Sequence, residues 1–212
     1  MKFFFVDLYA GLGGASSAMV KHPKWHVIQI DNNPELLCLN PSLLMCDIRD
    51  TTATIALITE ALDLDGFQVG KDVLVMWSSP PCLEFSHGFH APGPTAARAG
   101  LEFTPSMVDV EATQEIIQHF CPTWWMIENV RGACKWFRPV LGDHKARAGS
   151  FFLWGVFPRL FFDEEAQNHM KSDVDPGNHP LRSNFRAKVP LSVSRSIKDA
   201  VESQFTLDAW RR

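Results

Sequence analysis

The side chains able to do chemistry stand at the ends of apolar runs. Cys82 closes the stretch SSPPC after the run Val73 to Trp77, and Glu128 and Asn129 close CPTWWMIENV. Asp31 follows His26 to Ile30, and Asp47 follows Ser42 to Cys46. A thiol becomes a nucleophile when it loses its proton. A free cysteine is equally a small buried hydrophobe, and SSPPC alone leaves both readings open. A carboxylate near a thiol raises the thiol's pKa, so Glu128 reads as a group that holds the substrate.

These residues are positioned by strands. Phe3 to Leu8, His26 to Ile30, Ser42 to Cys46, Val73 to Trp77 and Cys121 to Val130 read as strands. Pro34 to Asn40, Thr54 to Leu62 and Met107 to Phe120 read as helices between them. Such alternation predicts a doubly wound, mostly parallel α/β sheet covered on both faces, with ligands bound at the carboxyl ends of its strands. Pro80 and Pro81 cannot extend a ladder, so they turn the chain out stiffly and put Cys82 at a strand mouth. If the strands before Cys82 and Glu128 are neighbours, the two side chains meet.

The first strand runs into DLYAGLGGASSAM, in which Gly11, Gly13 and Gly14 precede a small-residue helix start. Such a turn lets backbone amides approach a ligand, or simply connects strand to helix tightly. An acid at the tip of the second strand, about 20 residues beyond the turn, is where nucleotide-binding folds grip ribose hydroxyls. Asp47 has two readings: acceptor for a purine's exocyclic amine, or helix cap. The span Glu84 to Pro105, rich in glycine and proline, reads as a lid beginning beside Cys82. Its His87 and His90 read as loop residues facing solvent or phosphate, and no metal is assigned. Phe151 to Val156 and Arg159 to Phe162 read as a closing hairpin, and Ser192 to Val201 as a final helix.

The 212-residue chain has 46% hydrophobic and 21% charged residues, as a soluble globular domain does. Its five cysteines form no CxxC pair, which suits a reducing, cytoplasmic setting. A net charge of −4 disfavours a broad electrostatic grip on nucleic acid. Basic residues nevertheless cluster at Arg131, Lys135, Arg138, Lys145 and Arg147, and again at Arg182, Arg186, Lys188 and Arg195. Each cluster is either a basic rim or a solvated helix face.

Taken together the motifs resemble the DNA cytosine-5 methyltransferase family. DLYAGLGG is similar to its first motif, with Tyr9 in place of phenylalanine; SSPPC is similar to its catalytic Pro-Cys motif, and Glu128 to Val130 to its Glu-Asn-Val motif. RAKVPLSVSRSI looks like a degenerate closing motif. The resemblance implies the seven-stranded, Rossmann-like sheet of S-adenosylmethionine-dependent methyltransferases. It implies S-adenosylmethionine as cofactor, held by Asp7, Tyr9, Ala10, Gly11, Leu12, Gly13, Gly14, Asp31, Asn32, Asp47, Ile48 and Pro80.

The resemblance also implies DNA as partner and Cys82, Glu128 and Arg147 as catalytic residues. In such a mechanism the Cys82 thiolate adds to carbon 6 of cytosine. Glu128, protonated in a closed pocket beside Trp124, Trp125 and Met126, serves ring nitrogen 3. A base within a duplex must be flipped out to reach such a pocket.

The chain departs from the pattern in three places. Leu83 replaces the glutamine that follows the cysteine. HKARAGSFFLWG carries only Arg147 of a Gln-x-Arg-x-Arg motif, out of register. Residues 166–185 form a short loop region where a target-recognition domain is expected, leaving 1–165 and 186–212 as the catalytic domain, as in compact phage and prophage members. Two other functions stay open: a catalytically weak DNA-binding relative, and the same chemistry on RNA or a free cytosine nucleotide.

Overall fold

The computed structural model describes residues 1–171 and 174–206. Its centre is a seven-stranded sheet ordered β3-β2-β1-β4-β5-β7-β6. The strands are β1 (Phe3–Leu8), β2 (Trp25–Asp31), β3 (Leu44–Met45), β4 (Val73–Ser78), β5 (Trp124–Asn129), β6 (Ala146–Ala148) and β7 (Phe151–Val156). The first five run parallel, and β7 pairs antiparallel with both β5 and β6. This is the expected Rossmann-like α/β arrangement.

Strand β1 is buried on both faces, as a central parallel strand should be. Alternate side chains go to opposite layers. Phe4, Val6 and Leu8 pack with Ile58 and Leu62 of α1 (Thr51–Leu64) and Ile116 of α3 (Val108–Phe120). Phe3 and Phe5 pack with Met19 and with Val193, Ile197 and Val201 of α7 (Leu191–Thr206). Helix α7 thus covers the expected helix Ser192 to Val201 and belongs to the main core.

Four expectations need correction. The segment after β1 is a succession of turns and not a helix start. Gly11 and Gly13 take left-handed φ values of 53° and 65°, and the hydroxyl of Ser194 on α7 donates to Ala15 O while accepting from Ala18 N. The span Glu84 to Pro105 is ordered in part, with a 3-10 turn at Leu83–Phe85 and helix α2 (Pro92–Arg98). Pro92 sits in the first turn of α2, where a missing N–H costs nothing.

Arg159 to Phe162 is not a strand. The hairpin lies upstream, where β6 turns into β7 through Gly149, at φ 54°. Residues 166–185 are not merely a loop: α5 (Glu164–Asn168) and α6 (Arg182–Ala187) bracket them.

Candidate active site

The SSPPC turn is fixed residue by residue. Ser79 N donates to Leu8 O at 3.1 Å, carrying the ladder one step past β4. Ser78 Oγ lies 2.9 Å from Thr113 Oγ1 on α3, and the buried Trp77 donates from Nε1 to Ser79 Oγ at 2.6 Å. Asn129 Nδ2 donates to Pro80 O at 3.0 Å, tying the end of β5 to the turn. Cys82 then opens the Leu83–Phe85 3-10 turn.

Strands β4 and β5 are parallel neighbours, so Cys82 and Glu128 line one cavity of about 430 Å3. It opens beside the switch point between β1 and β4, where doubly wound sheets bind ligands. Asp7, Tyr9, Ala10, Gly11, Leu12, Gly14, Asp31, Asn32 and Pro80 line it as well. Gly13 lies just outside, its backbone pressed against the Gln29 side chain.

Asp47, Ile48 and Arg147 are not part of this lining. Asp47 is exposed and accepts from Arg49 N at 3.1 Å, whereas Asp50 caps α1. Ile48 is packed in the core. Arg147 is exposed on the edge strand β6, where its Nε donates to Gly149 O at 2.9 Å.

The cation at Glu128 is Lys171, which the sequence gave no reason to single out. Its Nζ lies 3.1 Å from Glu128 Oε1, and both side chains are largely buried. Lys171 is held at its backbone by Ser150 Oγ, which accepts from Lys171 N at 3.3 Å, and by Arg186 Nε, which donates to Lys171 O at 3.2 Å. Burial lowers the Lys171 pKa, but the Glu128 carboxylate and the Cys82 thiolate outweigh it, and the net direction is up. Burial pushes the Cys82 thiol up, Lys171 pulls it back, and Glu128 raises it further, for a net rise. At rest Cys82 is therefore a thiol beside a permanent ammonium.

The other half of the cavity is built around Asp31. Asp31 accepts from Gly11 N at 2.9 Å through Oδ2 and from Asn33 N at 3.0 Å through Oδ1. The carboxylate is thereby held rigidly and keeps lone pairs for hydroxyl donors. Beneath it Asp7 accepts from Ser16 Oγ at 2.6 Å, and Ser16 in turn accepts from Gln29 Nε2 at 2.7 Å. Burial, helped by Asp31 and opposed by Ser16, raises the Asp7 pKa to about 7.

Tyr9 has a left-handed φ of 55°, uncommon without glycine. Its hydroxyl donates to Asp109 Oδ1 at 3.0 Å, and Arg49 clamps the same carboxylate at 2.9 and 3.0 Å. Burial and Asp109 push the Tyr9 phenol up, so it keeps its proton and remains the donor.

Fold and site define a Rossmann-like α/β protein with a cysteine and a carboxylate at its switch-point cavity. No protein-family model matches the chain, and no curated protein does. Among solved structures, the Entamoeba histolytica methyltransferase EhMeth is similar at 12% identity and a TM-score of 0.48, over 84% of this chain and 62% of that one. The chain thus spans less than two thirds of that structure.

Proposed function

We propose that the chain transfers a methyl group from S-adenosylmethionine to carbon 5 of cytosine in DNA. The observation that carries this reading is the meeting of Cys82 and Glu128 in one cavity with Asp31 and the Gly11 turn. The residues suit the cofactor: a rigid carboxylate for ribose hydroxyls, a glycine turn for close backbone approach, and Trp77 and Pro80 as apolar lining. The cofactor would supply an electrophilic methyl group on a sulfonium.

Carbon 5 of cytosine is a weak nucleophile, and Cys82 changes that. The thiol loses its proton to solvent at the cavity mouth, favoured by the Lys171 ammonium, and Sγ adds to carbon 6. The ring's displaced electrons make carbon 5 nucleophilic. After methylation the carbon 5 proton passes to solvent water, its electron pair forms the carbon 5–carbon 6 double bond, and the carbon 6–sulfur bond breaks to release Cys82 as the thiolate. Glu128, with Oε1 on Lys171, has its second oxygen for the base: it accepts from the exocyclic amino group, and a proton taken up from solvent as the base enters is shared between that oxygen and ring nitrogen 3. Lys171 offers an ammonium to negative charge developing at the ring carbonyl, in place of the out-of-register Arg147.

The test is methyl transfer from labelled S-adenosylmethionine to duplex DNA, single-stranded DNA and RNA in parallel, followed by nucleoside analysis. Labelled 5-methylcytosine from DNA is expected. Label at another atom, or transfer to RNA alone, overturns the reading.

A further inference from the structure

A second concavity, a groove of about 930 Å3, begins where the active site ends. One wall is the segment after Cys82, including Glu84 and Phe103; the other comes from the segment after Glu128, including Arg131, Lys135 and Trp136, with Arg147 from β6. The walls touch at Gly132, where a Cβ would collide with the Phe85 carbonyl oxygen. Of the lining side chains Arg131, Lys135 and Arg147 are basic and only Glu84 is acidic, and Glu84 already accepts from Ser106 N at 2.6 Å. On a chain of net charge −4 this is a local reversal of sign. Lys135 lies 4.6 Å over the Trp136 ring and Arg147 lies 5.1 Å over the Phe152 ring, so two of the three cations are seated on aromatic rings of the groove wall.

A polyanion matches that surface, because a row of cations tracks phosphates. A small anion would leave most of the groove unfilled, and a neutral peptide would leave the cations without partners. The groove is also contiguous in sequence with both active-site residues. Cys82 lies two residues before Glu84, and Glu128 three before Arg131.

We propose that this groove holds the sugar-phosphate backbone of the DNA strand carrying the target base, an inference that rests on the cytosine reading above. It supplies, from the catalytic domain itself, a grip expected of a target-recognition domain. Because backbone contacts carry no sequence information, the grip positions the strand without selecting it.

The test compares the full chain with Arg131→Glu/Lys135→Glu and with the milder Arg131→Gln/Lys135→Gln. Binding of fluorescein-labelled single-stranded DNA, duplex DNA and RNA of one sequence is read by anisotropy across a salt series. S-adenosylhomocysteine binding by calorimetry checks that each variant is folded. Charge reversal should weaken DNA binding at least tenfold at low salt, and the Gln pair by less. The Gln pair should also lower the slope of log K against log salt by about 2, one per cation removed. If the wild type methylates DNA and both variants bind it with unchanged affinity and slope, the groove assignment is wrong and the cytosine reading stands. RNA bound more tightly than both forms of DNA overturns the assignment of a DNA strand. A wild type that binds none of the three overturns the groove and the cytosine reading together.

Discussion

Lys171 Nζ sits 3.1 Å from Glu128 Oε1, an ion pair made between the end of β5 and the segment that follows α5. Breaking a buried pair from one side costs about 3–5 kcal/mol, because the remaining charge is left unpartnered. Lys171→Met should therefore lower the melting temperature. It should also move the pH midpoint for Cys82 alkylation upward, because Lys171 opposes the rise in the thiol's pKa. Lys171→Arg should restore much of both. Iodoacetamide rates against pH, resolved by mass spectrometry from the other four cysteines, check this, and an unmoved Cys82 midpoint counts against it.

Asn129 ties the end of β5 to the turn that precedes Cys82. Its Nδ2 holds Pro80 O at 3.0 Å, and its Oδ1 accepts from Val130 N at 2.9 Å. Asn129→Ala leaves a buried carbonyl without its donor, a cost of about 1–3 kcal/mol. The turn ahead of Cys82 then loses its tie to β5. Turnover should fall at least tenfold while the KM for S-adenosylmethionine changes little. A proportionate rise in that KM would place Asn129 at the cofactor instead.

Asp7 sets a pH dependence of stability. Its folded pKa of about 7 lies above the ordinary aspartate value of 3.8. Between those values the folded chain holds a proton that the unfolded chain has released, so stability falls as pH rises through the window and levels off above it. The slope approaches about 1.4 kcal/mol per unit. Asp7→Asn removes it while Ser16 keeps an acceptor, so the variant should gain on the wild type from pH 4 to 7. Urea midpoints across that range read the effect, and parallel profiles for the two proteins would contradict it.

The parallel core is legible in the sequence because its strands are mostly apolar runs, and three of them end at a chemical marker: β2 at Asp31, β4 just before Pro80 and β5 at Glu128 and Asn129. Strand β6 is not, because Ala146 to Ala148 is three residues on the sheet edge within a polar stretch. Arg159 to Phe162 has strand-like composition, yet β7 already has β5 and β6 on its two sides. Phe161 is 72% exposed there, and its carbonyl accepts from Ser196 Oγ at 2.8 Å.

Helix α2 is hidden in the sequence because its glycine and prolines, Pro92, Gly93 and Pro94, fall in its first turn, where they do not break a helix. Lys171 carries no signal in the sequence: it stands in a non-periodic stretch, and only the docking of His169 and Lys171 on Ser150, at the turn between β6 and β7, brings it to Glu128. Arg147 matches a motif in type but stands on the edge strand β6, which places it in the neighbouring groove and outside the cavity of Cys82.

The most direct measurement is covalent trapping on DNA in which 5-fluorocytosine replaces the target base. Fluorine at carbon 5 blocks the proton loss that releases the enzyme. In the presence of S-adenosylmethionine the wild type should give a denaturant-resistant adduct whose peptide map places the linkage on Cys82, and Cys82→Ser should give none. Methyl transfer to cytosine by Cys82→Ser at the wild-type rate, or an adduct mapped to another cysteine, would contradict the account.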